Sequence, residues 1–434
     1  MPQKSGGTET IMEKKVTLTD SRFGKWGWSM VIYTMLMYFF WAGIATDCLN
    51  LYPDAFAAKL GCEPTLLLGY ATPAGFISVI ATFLFGRLVI KWGVKKMTGF
   101  VLILTGVIYC FFGMVTTPVM YFVVLAAFTF TSMAFGMITT ATLMGNWFPR
   151  KKGVALGWAT LGAPLCTACF VAIVGALYGA IGIMWTSILV GAIMIILGIA
   201  TFFWVKDIPE EVGAYPDNIP EGLEELKKQR EEMDHYKSPF TLGKLLKDKD
   251  MWLIALGFGM LWMVTIGVVS QFIPRMMSVG TPYPTAMTML TITALIGIAG
   301  SYFWGWLDQK IGTKKATVVY SLSYICALLL LIFAQVEFLT YVALLFVGLG
   351  IGGLLNLMAS LVIAVYGRYD FTAANSVVMP IAVLLMKCAF LIMAVALNAS
   401  GGDYTMPYLI FIGIDIVGMI LILCVTNKCK GKVD

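Results

Sequence analysis

Three ionisable side chains, Asp47, Lys387 and Asp415, stand inside otherwise apolar stretches of this chain. A charge in hydrocarbon costs several kcal/mol unless it pairs or faces a cavity, so each is a candidate for holding a charged solute or a proton. Lys387 lies about fifteen residues into its stretch and Asp415 about ten into the next, counted from opposite ends. At 1.5 Å per residue in a core about 30 Å thick, their depths agree to within several ångströms, which a Lys side chain spans. The two are expected to pair when the site is empty; a bridge that only holds two helices together is the competing reading. Asp47 follows Gly43 by four residues, where it is either a polar residue at the lip or a carboxylate that couples to protons or binds an ammonium group. Arg275 stands near the end of its stretch, and Gln271 and Asn356, awkward to place in lipid, are expected to line a pathway. The single histidine, His235, falls in a polar connection. A histidine proton relay, metal site or Ser-His arrangement within the apolar stretches is therefore excluded. No metal or cofactor is expected.

The elements that must position these residues are membrane helices. The chain of 434 residues is 59% hydrophobic and 12% charged, against about 25% charged in an average soluble domain, which excludes most soluble enzymes. Apolar stretches near 26 to 50, 66 to 90, 97 to 116, 119 to 147, 153 to 177, 183 to 205, 251 to 273, 284 to 306, 316 to 334, 338 to 365, 372 to 397 and 405 to 426 are each long enough to cross a bilayer. The expectation is an all-α membrane protein of twelve transmembrane helices in two pseudo-symmetric six-helix bundles. Basic residues set its orientation: 27 of the 30 Lys and Arg fall on one side, leaving Lys59, Arg275 and Lys387. By the positive-inside rule that side, with both termini, is cytoplasmic, and the protein is a multi-pass protein of the cytoplasmic membrane. The net charge of +6 is then a matter of topology, with no nucleic acid as partner.

The division expected is an N-terminal segment over 1–25, a bundle over 26–205, a cytoplasmic linker over 206–250, a second bundle over 251–426 and a tail over 427–434. The linker holds twelve acids and eight bases, with an amphipathic helix expected around 221 to 237. It has no G-x-x-x-x-G-K-[ST] phosphate loop, hence no visible ATP motor. Among nine cysteines, Cys48 and Cys62 are the pair positioned to meet on the outer side. Twenty-five polar and charged residues before the first stretch argue against a cleavable signal.

The chain also repeats itself. Gly86-Arg-Leu-Val-Ile-Lys91-Trp-Gly93-Val-Lys95-Lys96 and Gly305-Trp-Leu-Asp-Gln-Lys310-Ile-Gly312-Thr-Lys314-Lys315 agree at six of eleven positions, 219 residues apart, each after the second span of a six-span half. Such glycines are expected to let a helix end approach a neighbour closely, while the lysines hold the two bundles together through helix ends and acidic groups. These loops resemble G-x-x-x-D-R-x-G-R-K of the major facilitator superfamily of secondary transporters. Gly86, Lys91, Gly93 and Lys95, and Gly305, Lys310, Gly312 and Lys314, match it; Ile90 and Gln309 replace the acid. Asn146-Trp-Phe-Pro-Arg-Lys-Lys-Gly153 and Pro209-Glu-Glu-Val-Gly-Ala-Tyr-Pro-Asp217 resemble the oxalate/formate antiporter and monocarboxylate group. The resemblance implies alternating-access transport of an organic anion, as antiport or proton symport, by a monomer without enzymatic activity or cofactor. It also implies a lysine on span eleven, here Lys387, as the counter-charge of a carboxylate. The group's arginine in span eight has no counterpart, which favours a monocarboxylate with an apolar body over a dianion. The alternative is a proton-coupled carrier of a cationic or drug-like solute using Asp47 and Asp415. Thr129, Thr131, Ser132, Thr139, Thr140 and Thr142 in span four and the glycines of span ten are expected to serve close packing, and Pro164 to bend span five.

Overall fold

In the computed structural model, residues 21–148, 151–219, 239–333 and 337–431 are described, and every regular element among them is helical. Residues 1–20, Arg150, the amphipathic helix expected over 221–237, His235 and the end of the tail lie outside the described residues. A backbone in lipid must satisfy its own N–H and C=O groups, which helices do locally. The first half comprises α1 (Gly24–Ala45), α2 (Tyr52–Leu60), α3 (Pro64–Gly69), α4 (Ala71–Trp92), α5 (Val94–Phe112), α6 (Pro118–Met133), α7 (Thr139–Trp147), α8 (Lys152–Thr160) and α9 (Gly162–Trp204). After the single turn α10 (Leu242–Leu245) come α11 (Lys249–Ser270), α12 (Phe272–Ser278), α13 (Tyr283–Ile311), α14 (Thr313–Phe333), α15 (Glu337–Ile351), α16 (Leu354–Ala399) and α17 (Thr405–Leu423).

Ten helical stretches among the described residues are long and apolar enough to cross a membrane, or eleven when Phe338–Ile351 and Leu354–Gly367, bent by 44°, count as one span. The longest, Val154–Trp204, has 51 residues, about 76 Å at 1.5 Å per residue and more than twice a bilayer core. It breaks at Gly182, where φ is 79° and ψ 167°; reading it as two passes is what the twelve-span expectation requires. Of the hydroxyls of span four, Thr131 accepts from Thr105 of α5 at 2.7 Å, while Ser132, Thr140 and Thr142 donate to carbonyls of their own span. A π-helical turn at Ala134–Ile138 divides that span. Span five divides at Leu161, three residues before Pro164.

Small residues let the helices of each half approach. A Cβ at Gly106 would stand 2.6 Å from the Gly191 carbonyl oxygen, joining α5 to α9, and one at Gly348 would stand 2.6 Å from that of Thr293, joining α15 to α13. The repeat extends through the fold. Gly61 and Gly280, Gly93 and Gly312, and Gly182 and Gly401 all have positive φ, and each pair lies 219 residues apart. At Gly93 (φ 79°) this conformation lets α4 end and α5 begin at once, and the Asp207 carboxylate receives the Lys95 N–H at 2.7 Å. Burial raises the Asp207 carboxyl above its ordinary value even though these amides draw it down.

The halves meet through α3 and α4 against α16, α9 against α13, and the turn Asp47–Asn50 against α11 and α12. Asn50 marks the centre: its amide donates to the Val269 carbonyl at 2.9 Å, and its Oδ1 accepts the Ile273 N–H at 3.2 Å. Val269 is the position 219 residues beyond Asn50, its own counterpart in the repeat. A residue that touches its own counterpart lies at the pseudo-two-fold axis, as in any isologous contact. This closure is on the face away from the basic loops.

Candidate functional site

Lys387 lies at one of two symmetry-related crossings of the halves. Thr72 of α4 donates its hydroxyl to the Lys387 carbonyl of α16 at 2.6 Å and accepts the Leu391 N–H at 2.9 Å. At the other crossing, Thr291 of α13 donates to the Ala168 carbonyl of α9 at 2.7 Å. Thr72 and Thr291, like Ala168 and Lys387, are 219 residues apart. One hydrogen bond thus recurs twice, and its acceptor residue is an alanine in one copy and a lysine in the other. The crossing itself does not need a lysine. Gly75, one turn after Thr72, makes room for this one: a Cβ there would fall 2.5, 2.7 and 2.8 Å from Lys387 Cγ, Cδ and Cβ. The counterpart of Gly75 is Ala294, itself buried.

The Lys387 side chain is 1% exposed, with its ammonium 5.6 Å from the Phe390 ring centroid. A cation over a ring face gains about 0.5–2 kcal/mol, far less than a carboxylate would supply, and among the described residues no acid pairs with it. The pairing with Asp415 expected from depth is not formed. Lys387 turns across the crossing toward α4, whereas Asp415, also fully buried, turns into its own half toward Ser321 of α14. Residue counting along the helices expected them level, but the two side chains meet different neighbours, Gly75 and Ser321.

The other polar residues gather toward the closed face. Asp47 is 5% exposed and takes a 2.5 Å hydrogen bond from the Thr167 hydroxyl of α9, while its backbone carbonyl receives Asn50 Nδ2. Gln271 is buried and accepts the Tyr404 hydroxyl at 3.3 Å. Arg275 donates to the Leu331 carbonyl at 2.7 Å and lies 5.7 Å from the Tyr404 ring. Gln271 and Tyr404, with Leu68, Asp54 and Leu397, line a pocket of about 170 Å³ between the halves, which Lys387 does not line. Asn356 is exposed at the start of α16. Cys48 and Cys62 are both free thiols.

The glycine-lysine loops correct another expectation. A Cβ on Gly86 or on Gly305 would meet nothing within 4 Å, so neither permits a close helix approach here; the tight backbone geometry belongs to Gly93 and Gly312. Nor, among the described residues, does Lys91, Lys95, Lys310 or Lys314 make an ion pair across the halves. Lys310 lies over Trp306 of its own helix at 4.8 Å, and Lys314 donates to the Val425 carbonyl in the same half. Thr72, Gly75, Asn50 and Thr291 escaped the reading of the residues. The 219-residue offset would have flagged the two threonines, had it been carried beyond the basic loops.

A bundle of apolar, membrane-length helices with a duplicated half is a multi-pass membrane architecture of two-fold design. Residues 28–386 match the family model of the Major Facilitator Superfamily, to which the chain belongs; it is a multi-pass membrane protein of a transporter family. It is 22% identical over 359 residues to an uncharacterized MFS-type transporter, YhjX, of Escherichia coli, covering 81% of this chain and 83% of that one. To the oxalate:formate antiporter of Oxalobacter formigenes it is 24% identical over 270 residues, 60% of this chain and 58% of the relative. Among solved structures, the nucleoside transporter NupG superposes with a TM-score of 0.66 at 12% identity, covering 92% of this chain and 100% of that one. A bacterial homologue of the human lysosomal transporter Spinster, inward-facing and occupied, gives 0.62 at 12% identity, covering 91% and 93%. At these identities the superpositions speak to fold alone.

Proposed function

We propose that this transporter carries a small organic anion, a monocarboxylate with an apolar body, across the cytoplasmic membrane by alternating access, as antiport or proton symport, with Lys387 as the counter-charge. The carrying observation is that Lys387 is buried at the junction of the halves with no acid partner among the described residues, where the repeat has Ala168. A cation in low dielectric that no protein group neutralises gains most from a bound anion, and the symmetry-related crossing does without it. One cation balances one carboxylate. Arg275 stands apart at the closed face, bonded to Leu331. The similarity to an oxalate:formate antiporter supports the anion class and exchange. The carrier acts as a monomer, with the division at 26–205, 206–250 and 251–426 and both termini cytoplasmic. The test is a thermal-shift screen of the purified protein against carboxylates and amines, because a ligand that binds only the folded state raises apparent stability. Lys387→Gln should lose carboxylate binding by about 100-fold or more while remaining folded. Carboxylate binding unchanged in that variant would sink the anion reading, and a shift by amines that Asp47→Asn removes would put a cationic solute in its place.

A further inference from the structure

The pocket at the closed face is separate from the crossing that holds Lys387, and its charge is of the opposite sign. Its volume is about 170 Å³, and a cavity of about 150 Å³ takes up one benzene molecule. Leu49 and Leu68 of the first half and Leu397 of the second give it apolar walls, and all three are buried. Pro53, Pro64 and Pro274 also line it. Each fixes its own φ, so these walls are stiff before anything binds.

Its polar groups define what fits. Asp54, in the first turn of α2, shares the pocket with Gln271 and Tyr404 of the other half and lies near enough to Tyr404 for its charge to act on the phenol. Tyr404 gives its hydroxyl hydrogen to Gln271 Oε1 at 3.3 Å, and Gln271 Nε2 donates to the Ser270 carbonyl at 3.1 Å. The phenol oxygen, the amide oxygen and the carboxylate are left as acceptors. Asp54 has an exposed edge, yet its surroundings desolvate it enough to raise the carboxyl above its ordinary value. Among the described residues it makes no ion pair. The two bases near this face turn to carbonyls, Lys59 to that of Gly113 at 2.7 Å and Arg275, beside the Tyr404 ring, to that of Leu331 at 2.7 Å. Glu63 and Asp403, next in sequence to the lining residues Pro64 and Gly402, add to the negative field.

We propose that this pocket binds a small ammonium ion with an apolar body, its N–H groups on Asp54 and on the Tyr404 and Gln271 oxygens and its body among the leucines. The ligand and the residues both differ from those of the carboxylate site. Asp54 and Leu68 belong to one half, and Gln271, Leu397 and Tyr404 to the other, so the ion bridges the two. A ligand favours the arrangement to which it binds. The occupant therefore holds the closed face shut, a consequence that rests on alternating access between the halves.

The test is isothermal titration of the purified full chain with benzylammonium chloride, and with benzyl alcohol as a neutral molecule of the same shape. Benzylammonium should bind the wild type and Asp47→Asn alike, about tenfold more tightly than the alcohol, and Asp54→Asn should weaken it about tenfold. Asp54 lies on an exposed edge outside the apolar stretches, so its asparagine variant keeps the fold. Asn50→Leu, which unfastens the closed face, should weaken binding as well. The site is overturned if benzylammonium does not bind, if the alcohol binds as tightly, or if Asp54→Asn binds as the wild type does. Binding that Asp47→Asn abolishes would put the ammonium in the transport path and overturn the pocket too. An unchanged affinity in Asn50→Leu overturns the bridging of the halves. Each of these results can be read whether or not Lys387 binds an anion.

Discussion

Gly75→Ala tests whether the span-two glycine exists for the sake of Lys387. The new methyl would fall 2.5 Å from Cγ, 2.7 Å from Cδ and 2.8 Å from Cβ of the lysine, where carbon atoms in contact prefer about 3.5–4.0 Å. Each must therefore retreat by about 1 Å. Because Cβ is among them, a rotation of the flexible end does not suffice. Overpacking of this kind costs about 1–3 kcal/mol, and if it falls on the ammonium's position in the bound state, affinity drops by about 5- to 150-fold. Gly75→Ala combined with Lys387→Ala reproduces the alanines of the other crossing, Ala294 and Ala168. Its melting temperature should return toward that of the wild type while carboxylate binding stays lost. Isothermal titration with the carboxylate found by the thermal screen gives the affinities. The reasoning fails if Gly75→Ala binds as the wild type does while Lys387→Gln does not bind. If Lys387→Gln also binds normally, it is the anion reading that fails, so the two are separable.

Asn50→Leu should loosen the closed face, since it leaves the Val269 carbonyl and the Ile273 amide buried without their partner, at about 1–3 kcal/mol each. A thiol introduced in the outer pocket by L68C should then react faster with a reagent added outside, and an unchanged rate would count against Asn50 as a latch. The tail is pinned by Lys430, whose ammonium lies 2.5 Å from both Asp248 and Asp250. Partial burial pushes Asp248 up, but hydrogen bonds from Lys430, the Asp250 amide and Tyr366 outweigh it and leave the carboxyl below its ordinary value; the acids likewise raise Lys430 against its own desolvation. A lowered acid stabilises above its unfolded pKa of about 3.9 and stops doing so as pH falls through the lower folded value; a raised lysine stabilises below about 10.4 and stops above it. Lys430→Gln should therefore lower stability at neutral pH, by no more than about 1 kcal/mol for so exposed a pair, with the difference vanishing in strong acid. A constant difference down to that pH would refute the clamp. Because both termini are proposed to be cytoplasmic, an impermeant thiol reagent should spare the exposed Cys429 in intact cells, and labelling there would reverse the topology.

Composition and the 219-residue repeat made the helical membrane fold, the duplication and the family legible without coordinates. Lipid forces a long apolar stretch into a helix whatever lies beside it, and a duplicated chain keeps its special glycines in register, as Gly93 and Gly312 do. The buried charges Asp47, Lys387 and Asp415 were equally visible, because their cost depends only on depth. Which neighbour each one meets was not. That depends on the rotation of each helix about its axis and on the partner opposite. Residue counting placed Lys387 and Asp415 level, whereas packing turned one to Gly75 across the junction and the other to Ser321 inside its own half. Gly86 and Gly305 show the same limit, since a glycine is read as a close contact only when something stands against it. Thr72 and Asn50, unremarkable as residue types, became the fastenings of the two halves because the pseudo-two-fold axis brought each to a backbone group 315 and 219 residues away.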